Sequence, residues 1–140
     1  MIDGKEITTR LTPMGLVVLD NPIRLNAVET FKYFSSYNVD IKVISGDNPK
    51  TVSMVASKAL IKGAENYIDT SKLTDNELME SVEKYNVFGR VTPHQKQVII
   101  RTLKNKKNKV AMVGDGVNDI LALKEADCSI ALASGADAAM

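Results

Sequence analysis

Short apolar runs alternate along this chain with segments that have helical periodicity. We predict strands at the apolar runs, which are Gly15–Leu19, Ile41–Ile44, Val87–Phe88, Lys109–Val113 and Ser129–Ala133. We predict helices at Asn26–Tyr37, from Pro49 to about Leu60, from Thr74, from Thr92 and at Asn118–Glu125. Because strands that alternate with helices favour a parallel sheet covered by those helices, the sequence predicts an α/β, three-layer, Rossmann-like fold.

Polar clusters follow three of the predicted strands. The clusters are Ser45-Gly46-Asp47, Gly89-Arg90 and Gly114-Asp115-Gly116. Ligands of open parallel sheets bind at the carboxyl ends of the strands, which lie along one edge. We therefore expect the three clusters to converge at one rim.

The string GDGVND places Asp115 and Asp119 four residues apart, with glycines on both sides of the first acid. Two carboxylates at one strand end repel each other and favour a bound cation. Oxygen ligands without thiolate or imidazole favour Mg²⁺. Asn118 could donate hydrogen bonds to an anion beside the metal. The alternative is a simple strand-to-helix turn in which Asp119 lies in the first helical turn.

Two further features point to an anion. Ser45, Gly46 and the helix start at Pro49 provide a hydroxyl and free N–H groups, although the same segment could be an ordinary helix cap. Lys96 lies near a predicted helix N-terminus, where a positive charge is unfavourable, and this position indicates a role opposite a phosphate. The alternative is an ordinary exposed lysine.

Length and composition restrict the possible functions. The chain has 140 residues, 44% of them hydrophobic, and a net charge of +1. It fits one domain, and bulk charge gives no basis for a nucleic acid partner. The only cysteine, Cys128, allows no internal disulfide and is expected to be a small core residue. The only histidine, His94, argues against a histidine-based metal site or triad.

A serine hydroxyl, a lysine and an acid pair suited to Mg²⁺ are the parts of a phosphoryl-transfer site. The group that attacks phosphorus is still missing from this set. Because no histidine is well placed, an aspartate is the expected nucleophile.

Three segments together resemble a known family. Val113–Asp119 resembles the hinge motif of P-type cation-transporting ATPases, within the haloacid dehalogenase-like superfamily. Ser45–Pro49 resembles the T/S-G-D segment of that family, and Phe88–Lys96 resembles its strand-to-helix segment with an arginine and a lysine. The match runs from about Met14 to the C-terminus. It implies a haloacid dehalogenase-like sheet from which the nucleophile strand is absent.

The resemblance also implies roles for individual residues. Asp115 would bind Mg²⁺ directly, and Asp119 would orient the metal site and Lys96. Lys96 would neutralise the transferred phosphoryl group, which three residues would contact: Ser45, Gly46 and Asn118. Asp47 and Arg90 would help to hold the nucleotide or the lysine.

The resemblance divides the chain into two parts. Residues 1–24 would be the end of the nucleotide-binding domain and the hinge, and residues 25–140 would be part of the phosphorylation domain. The family has a D-P-x-R hinge where this chain has Asn21-Pro22-Ile23-Arg24, with Asp20 one place early. Arg24 is the hinge residue that the resemblance carries over, as a cofactor-binding residue together with Asp47 and Arg90.

The family phosphorylates an aspartate in a D-K-T-G string, which this sequence lacks. The chain therefore resembles the later half of a phosphorylation domain cut from a larger membrane protein. Without the nucleophile strand, a slot is expected between the strands that end at Asp47 and Asp115. We expect Gly15–Leu19, or a strand of a second chain, to fill it.

The leading hypothesis is a fragment of an ATP-driven cation pump whose cofactors are Mg²⁺ and ATP. Its partners would be ATP, the transported cation and the remainder of the parent chain, with no nucleic acid. The parent would lie in the cell membrane with this segment on the cytoplasmic side, and the isolated chain would be inactive. The alternatives are a stand-alone Mg²⁺-dependent phosphatase of the same superfamily and a non-catalytic, receiver-like module that binds Mg²⁺ or phosphate.

Overall fold

The structure is a computed structural model that describes residue 12, residues 14–17 and residues 22–132. The α-helices are α1 (Ala27–Ser36), α2 (Pro49–Lys58), α3 (Asp75–Ser81), α4 (Pro93–Asn105) and α5 (Ile120–Glu125). The strands are β1 (Val43–Ile44), β2 (Tyr67–Asp69), β3 (Val87–Gly89), β4 (Ala111–Gly114) and β5 (Cys128–Ala131). A short 3₁₀ helix, Val117–Asp119, precedes α5.

All strand pairs in the described residues are parallel, as predicted, and helices flank them. The strands form two sheets instead of one: β3 lies between β1 and β2, whereas β4 pairs with β5. Val43 is paired with Val87 in the first sheet, and Ala111 is paired with Cys128 in the second. The predicted α/β class with parallel strands is therefore confirmed, and the break between the two sheets lies between the strands that precede Asp47 and Asp115.

The core is centred on β3, whose three residues are all buried. Phe88 packs with Leu78 of α3 and Ile99 of α4, and all three side chains are fully buried. Each such side chain stabilises the fold by roughly 1.5–3 kcal/mol through removal of apolar surface from water. Ile44 packs against this cluster and also against the cluster around Met112 under the second sheet. The two sheets thus share a continuous apolar layer on the α4 side.

Helix starts follow the predicted signals. Asn48 caps α2 by accepting the N–H of Lys50, with Pro49 at the first helical position. Thr74 begins α3 with a full capping box, as its T-x-x-E spacing predicts. The strand β2 was not predicted, because Tyr67–Asp69 has one partly buried residue between two exposed ones and little apolar character.

The prediction that Cys128 is buried is wrong, and the described part of the predicted strand at Gly15–Leu19 is not a strand. Cys128 is exposed, as are the next two residues of β5, so this strand is not part of the buried core. Gly15–Val17 forms no strand, and the side chains of Leu16 and Val17 are 88% and 82% exposed, while Val18 and Leu19 lie outside the described residues. The described part of this run therefore does not fill the expected slot.

The slot itself is present between β1 and β4, which do not pair. Val43 and Ser45 donate their N–H groups toward β3, so the backbone groups of Ile44 point to the other side. On β4, the carbonyl of Gly114 accepts the N–H of Leu132 of the second sheet, so the backbone groups of Val113 point away from β5. Each sheet therefore has an open edge.

No helix in the described part of the chain is long and apolar enough to cross a membrane.

Candidate functional site

The carboxyl ends of β1 and β4 open into one cleft of about 430 Å³. Six of the predicted site residues line this cleft: Ser45, Gly46, Asp47, Lys96, Asp115 and Asp119. The predicted convergence of distant loops at one rim is therefore confirmed for these residues. The cleft lies between the two open sheet edges.

Lys96 and Asp119 form a close ion pair within the cleft. Lys96 Nζ lies 2.6 Å from Asp119 Oδ1, and the two side chains are 13% and 8% exposed. Charged side chains are rarely this buried without a partner, since desolvation of an isolated charge is costly. The pairing explains how a lysine is accommodated in the first turns of α4, because Asp119 offsets the unfavourable helix dipole.

The turn after β4 brings Asp119 back over the strand end. Its second oxygen, Oδ2, accepts the backbone N–H of Asp115 at 3.2 Å. Gly114 makes this fold-back possible, because a Cβ atom there would lie 2.6 Å from the Cβ of Asp119. Both oxygens of Asp119 are thus engaged by donors, whereas the side chain of Asp115 is exposed to the cleft.

The Ser45–Asp47 loop is held by the turn that follows β3. The N–H of Arg90 donates to the carbonyl of Asp47 at 2.8 Å, and the N–H of Val91 donates to the carbonyl of Ser45 at 3.0 Å. Arg90 adopts the left-handed backbone conformation, with φ 56°, which is uncommon for a residue with a large side chain. The Ser45 hydroxyl accepts the N–H of Asp47 and lies beside the N-terminus of α2.

Three predicted site residues do not line the cleft: Arg24, Arg90 and Asn118. The Arg90 side chain points instead toward Asp69, with 3.5 Å between Nε and Oδ2. Hydrogen bonds from Ser71, with a smaller contribution from Arg90, hold the pKa of Asp69 below its usual value. Arg90 therefore acts on the cleft through its backbone, which holds Asp47.

The donor set for Mg²⁺ is small. The described residues contain no group of three or more histidine, cysteine or acidic side chains that could hold a metal ion. Asp115 provides one available carboxylate, while Asp119 is already bonded to Lys96 and to the Asp115 N–H. This set fits Mg²⁺, which retains several waters and is commonly held by one or two carboxylates together with phosphate oxygens.

Sequence reasoning missed two buried polar residues beside the site, Thr70 and Gln95. Their side chains are hydrogen-bonded to each other, and Gln95 directly precedes Lys96. The T-P-H-Q spacing of a capping box was a usable signal for Gln95. Thr70 had no comparable signal, because its partner lies 25 residues away in sequence.

Comparison with known proteins identifies related families. A model of the haloacid dehalogenase-like hydrolases matches residues 2–127. A "Probable cation-transporting ATPase" of Streptococcus pneumoniae is 54% identical over 122 residues, which are 87% of this chain and 16% of that protein. A calcium-transporting ATPase of Mycobacterium tuberculosis is 42% identical over 137 residues, 98% of this chain and 17% of that protein. The chain thus spans about a sixth of the length of these relatives.

A solved structure has a similar fold. The catalytic domain of the CPx-ATPase CopB-B, described for its conformational changes upon nucleotide binding, superposes with a TM-score of 0.62. The two chains are 28% identical over the match, which covers 83% of this chain and 37% of that one. The similarity therefore extends to most of the fold described above.

Proposed function

The chain belongs to the haloacid dehalogenase-like hydrolase family, and on this premise we propose that it is part of the phosphorylation domain of an ATP-driven cation pump. Relatives over nearly the whole chain are named cation- and calcium-transporting ATPases. The proposal extends their activity to the parent of this chain. Residues 1–24 would then form the end of the nucleotide-binding domain and the hinge, and residues 25–140 part of the phosphorylation domain.

The observation that carries the proposal is the buried Lys96–Asp119 pair at the mouth of a cleft that also presents Asp115 and Ser45. The Lys96 ammonium would neutralise the charge on a phosphoryl group. The Ser45 hydroxyl and the Gly46 N–H would contact its oxygens. Asp119 would keep Lys96 in place.

Asp115 is the proposed ligand of Mg²⁺ in this arrangement. Asp115 would hold Mg²⁺, with Asp119 orienting the loop that carries it through the Asp115 N–H. When bound, Mg²⁺ would supply charge neutralisation at the phosphoryl oxygens. Asp47, on the same rim, would face the nucleotide, while Arg90 would support it through the backbone bond to Asp47.

The nucleophile would come from outside the described residues. Asp119 forms an ion pair with Lys96, and Asp115 is the proposed Mg²⁺ ligand, so neither carboxylate is suited to attack phosphorus. The open edges of β1 and β4 would accept one parallel strand, which would end at the same rim as Ser45 and Asp115. We infer that a strand of the parent polypeptide carries the D-K-T-G aspartate into this slot.

The reaction would proceed in two balanced steps. A carboxylate oxygen of that aspartate would attack the γ-phosphorus of ATP, forming an acyl phosphate and releasing ADP. Water would then cleave the acyl phosphate, releasing inorganic phosphate and regenerating the carboxylate. The parent would lie in the cell membrane with this segment on the cytoplasmic side, and the transported cation would bind in the membrane part.

The full-length parent in membranes tests the proposal. Incubation with γ-labelled ATP and Mg²⁺ should give an acid-stable, hydroxylamine-sensitive phosphoprotein. Lys96→Ala should lower the labelling rate by about 100-fold, the effect of removing one group that stabilises transition-state charge. Lys62→Ala, at an exposed lysine outside the cleft, is the matched control and should label normally. Equal labelling of the two variants would contradict the proposal.

The purified chain distinguishes the alternatives. We expect it to show no ATP turnover. Sustained, Mg²⁺-dependent phosphate release by the pure chain would instead indicate a stand-alone phosphatase. Stable labelling of one of its own aspartates by acetyl phosphate would indicate a receiver-like module.

A further inference from the structure

The first turn of α4 is attached to the end of β2 by two buried polar side chains outside the cleft. Thr70 is fully buried, and Gln95 is 8% exposed. Burial of polar side chains is costly unless their hydrogen bonds are satisfied. Every buried side-chain nitrogen and oxygen in the described part of the chain has a partner, these two residues included.

The oxygen and the nitrogen of the Gln95 side-chain amide both form hydrogen bonds. Its Oε1 accepts the N–H of Thr92 at 3.1 Å, which completes the capping box of α4, and lies 3.2 Å from the hydroxyl of Thr70. Its Nε2 donates to the carbonyl of Thr70 at 3.0 Å. A glutamate could accept the capping bond, but it could not donate to a carbonyl. The glutamine is therefore needed for the bond to Thr70 and not for the cap alone.

Thr70 continues the connection toward the Ser45–Asp47 loop. Its N–H and its hydroxyl lie 3.0 Å and 3.1 Å from the carbonyl of Gly89, the last residue of β3. The next residue, Arg90, donates its N–H to Asp47. The Thr70–Gln95 hydrogen bonds, which we call the clasp, thus link the start of α4 to the end of β3, next to the turn that holds the Ser45–Asp47 loop.

A second capping box in the same chain shows what a cap requires by itself. Glu77 Oε2 accepts the N–H and the hydroxyl of Thr74 at 2.8 Å each, at the start of α3. Glu77 is exposed, and its hydrogen bonds are local to that turn. The comparison indicates that burial and the bond to Thr70 are additional properties of Gln95.

We propose that Gln95 is a positioning residue for Lys96. The clasp fixes the backbone at Gln95, and Lys96 is the next residue, so the clasp sets the point from which the lysine side chain reaches Asp119. A lysine side chain loses considerable rotamer freedom when it is held in one geometry, so its anchor must be rigid for the pair to persist. The functional importance of this position rests on the role proposed above for Lys96.

The experiment observes the ammonium group of Lys96 directly in the isotope-labelled chain by NMR. The signal is assigned by its loss in Lys96→Arg, and the rate of ammonium hydrogen exchange with water is measured. Gln95→Glu keeps the capping acceptor but removes the donor to Thr70. Gln95→Met removes both, and Thr70→Val removes the hydroxyl while keeping the side-chain shape. Glu77→Ala is the control for loss of a helix cap away from the cleft.

We expect Gln95→Glu and Gln95→Met to accelerate hydrogen exchange of the Lys96 ammonium group by roughly two- to tenfold. A factor of this size is the increase in the population of the open ion pair that loss of one net hydrogen bond produces. Thr70→Val should also accelerate the Lys96 exchange. This variant tests the proposal by itself if neither Gln95 variant folds. Glu77→Ala should leave the Lys96 signal unchanged. An unchanged exchange rate in Gln95→Glu, or an equal acceleration in Glu77→Ala, would overturn the proposal.

The outcome is independent of pump activity. The Lys96 exchange rate reports the ion pair in this chain, whether or not the parent forms a phosphoprotein. Failure of the positioning role and failure of the proposed function therefore appear in different measurements.

Discussion

Gly89, the last residue of β3, lies directly against Pro49, the first residue of α2. A Cβ atom on Gly89 would lie 2.4 Å from the Cα of Pro49. The Cα of Pro49 is a backbone atom at the start of a helix, so it cannot move aside by a side-chain rotation. This close approach sets the distance between the Ser45–Asp47 loop and the turn that supports it.

Gly89→Ala should therefore destabilise the chain. We expect the free energy of unfolding to fall by about 1–3 kcal/mol, the usual cost of overpacking, as measured by urea denaturation. Gly116→Ala is the control, because a Cβ atom there would have its nearest neighbour at 4.0 Å. Equal stability of the two variants would show that the contact between β3 and α2 relaxes freely.

Lys96→Met should leave the carboxylate of Asp119 buried without its cation. We expect a loss of about 3–5 kcal/mol in the free energy of unfolding, since breaking a buried pair from one side leaves an uncompensated charge. The double variant Lys96→Met/Asp119→Asn should recover part of that loss. A change below about 0.5 kcal/mol in the single variant would mean that the lysine behaves as a surface residue.

Asp115→Asn should weaken Mg²⁺ binding to the chain by about tenfold or more, because it replaces the available carboxylate with a neutral amide. Titration with MgCl₂ while the backbone amide signals of the Asp115 turn are followed by NMR provides the measurement. Asp69→Asn, at an acid that pairs with Arg90 away from the cleft, should bind Mg²⁺ as the unsubstituted chain does. Equal Mg²⁺ affinity in the two variants would exclude Asp115 as the ligand.

Stability should decrease in acid through Glu125 and Asp127. Hydrogen bonds from Arg101 and then Gln97 lower the pKa of Glu125, and the N–H of Val110 lowers that of Asp127. A carboxyl whose pKa is lower in the folded state stabilises it above the unfolded pKa, near 4 to 4.5. That contribution is lost as the pH falls through the folded pKa.

The check is the midpoint of urea unfolding measured from pH 7 to pH 3. Glu125→Gln should lower the midpoint at pH 7 and flatten its decline below about pH 4.5. Glu80→Gln, at an exposed carboxylate on α3, should keep the full decline. A profile for Glu125→Gln that parallels the unsubstituted chain would contradict this assignment.

The sequence predicted those parts of the fold that depend on local patterns. Apolar runs located β1, β3, β4 and β5, and the spacings T-x-x-E and T-P located the starts of α3 and α4. The clusters after β1 and β4 met at one rim because parallel strands end along the same edge. These predictions required no knowledge of long-range contacts.

Other features depended on contacts that the sequence does not display. The apolar run that includes Leu16 and Val17 has the composition of a strand, but apolar composition does not specify a partner edge. The side chain of Arg90 pairs with Asp69, which lies 21 positions earlier in the sequence, so its direction could not be predicted from the local pattern. The clasp joins residues from two elements, so neither Thr70 nor Gln95 reveals it alone.

The separation between the two sheets has a mechanical consequence. Ile44 and Leu103 pack into the apolar clusters of both sheets. Within the part of the chain that the structure describes, β1 and β4 do not pair with each other. The two sheets are therefore held together by side-chain contacts and not by backbone pairing between β1 and β4. Side-chain packing can shift by small amounts without loss of backbone hydrogen bonds, so the spacing between the two sheets is set less firmly than the spacing of strands within either sheet.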